Sequence, residues 1–326
     1  MRATALILMT VTMAKRKGEP VHGWLVLNKS CGITSTKALS IARRLLNANK
    51  AGHAGTLDPL ADGVLPLAFG EATKTVPYLV DARKTYRFTV RWGQETSTDD
   101  REGPVVRSSD LRPNPEQVLA ALPGFIGRVL QVPPAFSAIL VDGQRAYDLA
   151  RDGETVELLA RETDIFRLEV VEAPDADHTV FHMTCGKGTY VRAFARDIGR
   201  VLGCFGHVAS LTRTAVGPFR LADAITLEKL EESAKDPATT RGLRPLATVL
   251  DDIPALAVTD QEASQLRLGR AILARGRLFL SEGVADDSVA HAVPPVYCRT
   301  RSGDPVAIAV FEAGEVKPIR VFNFSH

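Results

Sequence analysis

The sequence predicts an α+β protein in which a large domain with a mixed sheet is followed by a small, mostly β domain. Up to about residue 245, strand patterns alternate with amphipathic helical patterns. Beyond residue 250, strand patterns surround a turn. We therefore assign residues 19–245 to the large domain and 250–326 to the small one, which a length of 326 residues allows.

The first part of the large domain contains strand and helix patterns in alternation. Residues 23–27 form a short apolar strand, and Thr34 or Ser35 caps a helix whose apolar residues recur at i, i+3, i+4 and i+7. Residues 64–69 are apolar throughout, which is typical of a buried strand. Apolar and polar residues alternate over 84–92, so we expect one face of this strand to be buried.

The second part of the large domain continues the same mixture. Residues 115–122 predict a short helix, and residues 164–172 and 179–185 predict strands. Residues 189–202 predict a second amphipathic helix with an inward face and a separate basic stripe. The inward residues are Val191, Phe194, Ile198 and Val201, and the stripe is Arg192, Arg196 and Arg200.

The C-terminal region begins after a change in composition. Residues 243–254 contain prolines at positions 245 and 254, and their composition predicts a linker. Residues 305–311 and 317–324 flank Glu312, Ala313, Gly314 and Glu315, which predicts a β-hairpin.

Composition excludes several classes of protein. A hydrophobic content of 45% and a charged content of 24% are those of an ordinary globular protein. No run of about 18 apolar residues predicts a membrane span. The four cysteines lack the spacing of a zinc site or a disulfide framework, so we expect a cytoplasmic protein. Residues 1–18 are expected to be a disordered or over-called leader, because Lys15-Arg16-Lys17 occupies the place of a signal-peptide cleavage site.

Positive charge is concentrated in two segments, although the net charge is only +2. Residues 14–92 contain thirteen Lys or Arg against five Asp or Glu, and residues 185–220 contain six against one. Such asymmetry is typical of a face that binds the phosphates of a nucleic acid. The alternative is an ordinary solvated surface.

The loop at residues 52–63 has the most informative composition in the chain. Its three glycines and one proline predict a sharply bent loop. His53 and Asp58 are the groups on it that could carry acid-base or covalent chemistry. The alternative is two ordinary turns.

Seven short segments in the same order resemble motifs of the bacterial tRNA pseudouridine-55 synthases of the TruB type. They are residues 32–35, 55–65, 70–74, 84–87, 132–138, 145–147 and 186–192. The resemblance extends from about residue 23 to about residue 218 and more faintly to the end. It implies a pseudouridine synthase catalytic domain followed by a PUA-like RNA-binding domain.

The resemblance also implies a role for individual residues. Asp58 matches the catalytic aspartate, and Arg192 matches the arginine that pairs with it. Tyr86 matches the residue that stacks on the target uracil, and Tyr190 and Leu211 match positions of its pocket. Without the resemblance, these last three side chains would be assigned to the core.

Two further residues follow from the same resemblance. His53 matches a histidine that occupies the space left by the flipped base. Lys29 is retained from a family pattern Asp-Lys-Pro-x-Gly, whereas Asn28 and Ser30 depart from it. These departures concern the hydrogen bonds around the catalytic loop. Residues 132–156, which mix aromatic and basic side chains, match an insertion that closes over the RNA, or else form a surface excursion.

The leading functional hypothesis is a monomeric, cofactor-free isomerase that converts a uridine in the T-loop of tRNA to pseudouridine. No phosphate-binding loop, dinucleotide fingerprint or metal-ligand spacing is present in the sequence, and we expect neither metal nor cofactor. The expected partner is the T-arm stem-loop of tRNA. One alternative is an RNA-binding or tRNA-folding protein whose isomerase activity is secondary or lost. Another is a metal-dependent phosphoesterase that uses His53 and Asp58.

Overall fold

The computed structural model describes residues 18–137, 139–141, 143–152, 158–235, 242–274 and 295–324. The predicted leader lies outside the described residues, apart from Gly18. The α+β class is confirmed, with mixed helix and sheet in the large part and a separate five-stranded sheet at the C-terminus. No helix among these residues has the length and apolar character needed to cross a membrane.

The elements follow in chain order. The strands are β1 Gly23–Lys29, β2 Ala51–His53, β3 Asp62–Phe69, β4 Lys84–Trp92, β5 Gln94–Thr96, β6 Val105–Ser108, β7 Gly127–Gln131, β8 Leu140–Val141, β9 Gln144–Arg145, β10 Arg161–Asp175, β11 His178–Cys185, β12 Gly206–Val216, β13 Phe219–Arg220, β14 Ala255–Val258, β15 Ile272–Leu273, β16 Val296–Thr300, β17 Pro305–Glu312 and β18 Glu315–Val321. The helices are α1 Ser35–Leu45, α2 Val76–Val80, α3 Pro115–Ala121, α4 Ala146–Arg151, α5 Val191–Val201, α6 Leu227–Ala234 and α7 Asp260–Arg267.

The large sheet runs in the order β1-β3-β12-β4-β11-β10-β7. Most neighbours are antiparallel, but β3 and β12 are parallel, so the sheet is mixed as predicted. Strand β4 lies between β12 and β11, at the centre of the sheet. The central position of β4 and β12 places Tyr86 and Leu211 well inside the fold.

Gly63 permits the close approach of β3 and β12. Its φ is +98°, and a Cβ atom there would lie 2.3 Å from the carbonyl oxygen of Arg213. Because real Cβ atoms do not approach a backbone oxygen so closely, only glycine fits. Gly63 therefore fixes the end of the Asp58 loop against β12.

One face of the sheet carries the main core. Phe88, Phe181 and Phe194 pack there, with ring centroids 5.4 to 5.6 Å apart. Helix α5 contributes Phe194 and Ile198 to this core as predicted, but the prediction that Val201 faces inward is wrong because it is 67% exposed. Leu202, four residues after Ile198, packs against the core in its place.

The C-terminal sheet has the order β14-β16-β17-β18-β15, with α7 packed against it. The predicted hairpin is confirmed by the pairing of β17 with β18. Ala313 and Gly314 connect the strands with φ of 51° and 79°, the positive values that a tight two-residue hairpin requires.

A second apolar cluster joins the two parts of the chain. Trp24 from β1 packs in the same cluster as Tyr297, Ile308 and Phe322 from the C-terminal sheet. The segment predicted as a linker is ordered there: it contains a 3₁₀ helix at Leu246–Val249, and Leu246 is buried in the cluster. The C-terminal sheet is therefore packed firmly on the large domain.

The motif at residues 70–74 contributes to the same junction. The Lys74 Nζ donates to Glu71 Oε2 over 2.6 Å and to the Val321 carbonyl over 2.7 Å. The Asn323 backbone N–H donates to the same Glu71 oxygen over 2.7 Å. This motif thus holds the last strand of the C-terminal sheet.

Candidate active site

A pocket of about 420 Å³ opens at the end of the Asp58 loop. Its volume is within the range of pockets that bind small organic groups. It is lined by residues from the loop, from β4 and β12, and from α4, α5 and the segments that precede these two helices. Among them are Asp58, Lys84, Tyr86, Phe136, Arg145, Tyr147, Tyr190, Arg192, Leu211 and Arg213. The structure therefore brings together five of the seven residues predicted for the site.

Asp58 and Arg192 form an ion pair in this pocket. Asp58 Oδ2 lies 2.9 Å from Arg192 Nε, without a well-aligned hydrogen bond between them. The Arg192 side chain is 5% exposed, whereas the Asp58 side chain is 37% exposed. The carboxylate is therefore held by a buried cation while part of it remains open to a ligand.

Arg192 is itself fixed by other contacts. Its two terminal nitrogens donate to the carbonyls of Thr98 over 3.0 Å and Phe136 over 2.9 Å. A second, buried carboxylate, Asp100 Oδ2, lies 3.7 Å from Arg192 Nε. Because a buried charge needs a partner, Asp100 depends on this guanidinium, which Asp58 shares.

The walls of the pocket include the three apolar or aromatic residues predicted for it. Tyr86 and Leu211 come from the paired strands β4 and β12, and Tyr190 immediately precedes α5. The Gln131 side chain accepts from the Tyr190 N–H over 2.8 Å and donates to the Tyr190 carbonyl over 3.0 Å. Burial raises the pKa of both tyrosines, so their hydroxyls stay protonated at neutral pH.

Arg213, which was not among the predicted site residues, holds the Asp58 loop from below. It is only 1% exposed, and its guanidinium donates to the carbonyls of Val64, Thr56 and Gly55 over 2.8, 3.2 and 3.3 Å. These acceptors lie on both sides of Asp58. A signal was present, since Arg213 follows Leu211 by two residues and shares its face of β12.

Ser35 fixes the loop from the other side. Its hydroxyl donates to the Leu57 carbonyl over 3.0 Å and accepts from the Leu57 N–H over 2.8 Å. This pair of bonds explains the motif at residues 32–35, which also contains the N-cap of α1, Thr34. The residue before Asp58 is therefore tied to the start of a helix.

Lys29 lies beneath the loop and does not line the pocket. Its Nζ donates to the carbonyls of Ile33, Ser30 and Pro59 over 2.8, 3.0 and 3.4 Å. Burial lowers its pKa. The supporting role expected of Lys29 is consistent with these bonds, which join two loops without a direct contact to Asp58.

His53 does not line the pocket either. It ends strand β2, and its Nδ1 is buried without a hydrogen-bond partner among the described residues. Burial, followed by the charge of Arg213, lowers its pKa, so the ring is neutral at pH 7.

The arginines of the basic stripe on α5 pair with acids, and two of the three, Arg192 and Arg196, are buried. Arg196 is buried and lies 3.1 Å from Asp99 Oδ2, and Arg200 makes two bonds of 2.8 Å to Glu95. Together with the contact of Arg192 to Asp100, these pairs join α5 to the segment at residues 95–100. Arg192 and Arg196 are buried, so their charges are used inside the protein and are not free for phosphate contacts, whereas Arg200 remains exposed.

Replacing Arg213 with Met is expected to lower the free energy of unfolding by about 3 kcal/mol or more, because three buried carbonyls lose a charged donor. Urea unfolding measures the change. Arg220→Met is the matched control, since Arg220 is exposed and donates only to nearby carbonyls. Equal stabilities of the two variants would contradict the role of Arg213 in holding the loop.

Comparisons with known proteins identify the family of this chain. Residues 43–191 match the family model described as TruB family pseudouridylate synthase (N terminal domain), and residues 192–253 match tRNA pseudouridylate synthase B C-terminal domain. A protein of Caulobacter vibrioides named tRNA pseudouridine synthase B is 54% identical over 96% of this chain and 100% of its own. A protein of the same name from Bradyrhizobium diazoefficiens is 52% identical over 95% of this chain and 88% of its own.

Solved structures agree at the level of the fold. A chain of an H/ACA RNP bound to a substrate RNA containing 2′-deoxyuridine has a TM-score of 0.69 at 22% identity, over 93% of this chain and 85% of that one. A Cbf5–Nop10–Gar1 complex contains a chain with a TM-score of 0.69 at 23% identity, over 93% and 84%. The matches to both family models and the near full-length relatives place this chain in the TruB family of pseudouridylate synthases.

Proposed function

We propose that this protein converts the uridine at position 55 in the T-loop of tRNA to pseudouridine, with Asp58 as the nucleophile. The observation that carries the proposal is the partly open Asp58 carboxylate, held by the buried Arg192 at 2.9 Å in a pocket with aromatic walls. The names of its relatives support tRNA as the substrate. These relatives match nearly the whole chain, so the proposal applies to the large domain and the C-terminal sheet together.

The reaction requires little beyond these residues. The N1–C1′ bond of the uridine breaks, the base turns, and a C5–C1′ bond forms, while C5 loses a proton and N1 gains one. Asp58 attacks C1′ or C6, or stabilises the sugar cation, and it is released when the new bond forms. Tyr86 stacks on the uracil, and Leu211 and Tyr190 enclose it. A pocket of this kind needs the nucleotide to be flipped out of its stack.

Phosphate binding would fall to cations that are still exposed. In the first basic segment these include Lys37, Arg44, Lys50 and Arg91, and Arg145 lines the pocket. Residues 132–152 contribute Phe136, Arg145 and Tyr147 to the pocket wall, so this insertion would contact the RNA. Ala138, Asp142 and residues 153–156 of the insertion lie outside the described residues.

The decisive substrate experiment uses a minimal T-arm hairpin without the rest of the tRNA. Because the pocket would read a flipped base, the hairpin should be converted, whereas a duplex of the same stem without the loop should not. An RNA-folding protein without isomerase activity would bind the hairpin and form no pseudouridine. That result would favour the alternative function over the one proposed.

Affinity for the hairpin should fall linearly on a plot of log affinity against log salt. Each neutralised phosphate contributes roughly 0.7 to 0.9 to the slope. Lys37→Met is expected to reduce the magnitude of this slope by roughly 0.7 to 0.9, the contribution of one phosphate contact, because Lys37 is exposed on α1. A slope near zero would contradict phosphate binding by this face.

The C-terminal sheet is proposed to bind RNA as a PUA-like module. Deleting it would expose Trp24 and its neighbours, because Tyr297 and Phe322 share their core. Charge reversal of the exposed Arg299, Arg301 and Arg320 is therefore the better test. If the variant binds tRNA as tightly as the wild type, this module does not contribute to binding.

Chelation with EDTA is expected to leave turnover unchanged on a prefolded RNA. The isomerisation transfers no group and changes no oxidation state. In addition, the described residues contain no cluster of three or more His, Cys, Asp or Glu side chains that could hold a metal. Loss of activity that added divalent metal restores, with RNA folding controlled, would contradict the metal-free reaction.

A further inference from the structure

Lys84 is a buried cation at the wall of the pocket that the proposed reaction does not use. It is 7% exposed, and it lines the pocket together with Tyr86. Both residues lie on β4, two positions apart, so they share a face of the strand with about 7 Å between them along its axis. A nucleotide whose base stacks on Tyr86 is therefore long enough to reach Lys84.

Within the described ranges, Lys84 forms no ion pair with a carboxylate. Its Nζ donates to the Val80 carbonyl, and no described carboxylate lies within ion-pair distance. The negative charge of Asp81 acts to raise the pKa of Lys84, but Asp81 is already paired with Lys187 at 3.0 Å. The Cys185 thiol beside it stays neutral at pH 7, because burial raises its pKa to about 11.

The other charges around Lys84 are positive. The buried Arg213 and the exposed Lys187 both line the same pocket, and the charges of both act to lower the pKa of Lys84, as burial does. A buried cation costs free energy unless an anion compensates it. Among the described residues, the acid that lines the pocket is Asp58, and Arg192 already pairs with it.

The chain segment opposite Lys84 suits an anion as well. The turn at residues 186–189 lines the pocket, and Gly188 adopts a φ of +80° with no atom near the position of a Cβ. Its backbone can therefore lie close to a bulky ligand without a side chain in between. Lys84 and this turn, which includes Lys187, therefore line the same pocket.

We propose that Lys84 binds a phosphodiester group next to the flipped uridine, so that the backbone of the RNA is held inside the pocket while Tyr86 stacks on the base. This anion subsite rests on the proposed function, because the anion is part of the RNA substrate. It differs from the exposed cations of the outer face, since Lys84 is reached only by a nucleotide that has entered the pocket.

A purely structural role is the competing explanation. The bond from Lys84 to the Val80 carbonyl caps the end of the short helix α2. Loss of that bond would lower stability and would affect all substrates equally. If Lys84 binds one phosphate, its replacement should instead weaken RNA binding only when that phosphate is charged.

The experiment is a double-mutant cycle between protein and RNA. T-arm hairpins are made with a single uncharged methylphosphonate at each linkage around the target uridine, and Kd and single-turnover rates are measured for full-length wild type, Lys84→Met and Lys37→Met. For the wild type we expect one linkage inside the pocket at which the substitution weakens binding about tenfold. With Lys84→Met, the loss at that linkage should disappear, while losses at the other linkages remain.

Lys37→Met provides the control for a general loss of positive charge, because it should weaken binding to every hairpin and leave the linkage profile unchanged. If Lys84→Met does not fold, Lys84→Gln, which keeps a donor for Val80, replaces it in the same cycle. A linkage profile that is the same in the Lys84 variant and the wild type would overturn the subsite. Failure of the wild type to convert any hairpin would overturn the proposed function, and the subsite with it.

Discussion

Replacing Asp58 with Asn is expected to reduce turnover by at least about 10³-fold, or about 4 kcal/mol in activation free energy. The amide has nearly the same shape, but it is neither a nucleophile nor a negative charge that can stabilise a sugar cation. Binding of tRNA should stay within a few fold of the wild type, because the exposed cations of the outer face are unchanged. Single-turnover kinetics with excess enzyme separate the two quantities.

Two results would count against this role of Asp58. If the Asn variant retains more than a few per cent of the wild-type rate, another group carries out the chemistry. If binding and rate fall together and the variant unfolds at a lower temperature, Asp58 has a structural role. Asp62→Asn is the matched control, because Asp62 lies on the same loop, at the start of β3, and does not line the pocket.

Replacing Arg192 with Met is expected to have the second largest effect on turnover, a loss of about 10²-fold or more, and to lower the free energy of unfolding by about 3 to 5 kcal/mol. The buried Asp100 would lose its cation, and Asp58 would lose the contact that fixes its position. Arg192→Lys keeps the charge but cannot reach both carbonyl acceptors, so it should be intermediate. Single-turnover rates and urea unfolding give the two effects separately.

Arg200→Gln serves as the control for Arg192. Both arginines lie on α5 and pair with acids of the segment at residues 95–100, but Arg200 pairs with Glu95 and does not line the pocket. We expect the Arg200 variant to lose stability with little change in turnover. Equal effects of both variants on turnover would mean that Arg192 acts only through the packing of α5.

Much of the fold could be predicted because its signals are local. The strict alternation of apolar and polar residues over 84–92 matches the bounds of β4, and it places Tyr86 on the inner face. Glycine and proline in residues 52–63 correctly predicted a sharply bent loop that presents Asp58. The site residues Tyr190 and Leu211 needed the family resemblance, since their local patterns are those of ordinary core positions.

The features that were missed depend on residues far apart in the sequence. Periodicity showed the stripe of Arg192, Arg196 and Arg200, but it could not show that Asp99 and Glu95 lie opposite. For the same reason the sequence predicted a phosphate-binding face here and not the internal ion pairs of Arg196 and Arg200. The packing of the segment at residues 243–254 under the C-terminal sheet was missed because it depends on Trp24, more than two hundred residues earlier.

The most direct test of the central claim is a map of pseudouridine, at nucleotide resolution, in an unmodified tRNA transcript treated with the wild type and with Asp58→Asn. If Asp58 is the nucleophile of a T-loop uridine isomerase, the wild type converts a single uridine, at position 55 of the T-loop, and the Asn variant leaves it unmodified. Conversion at another position, or equal conversion by both proteins, would contradict the account.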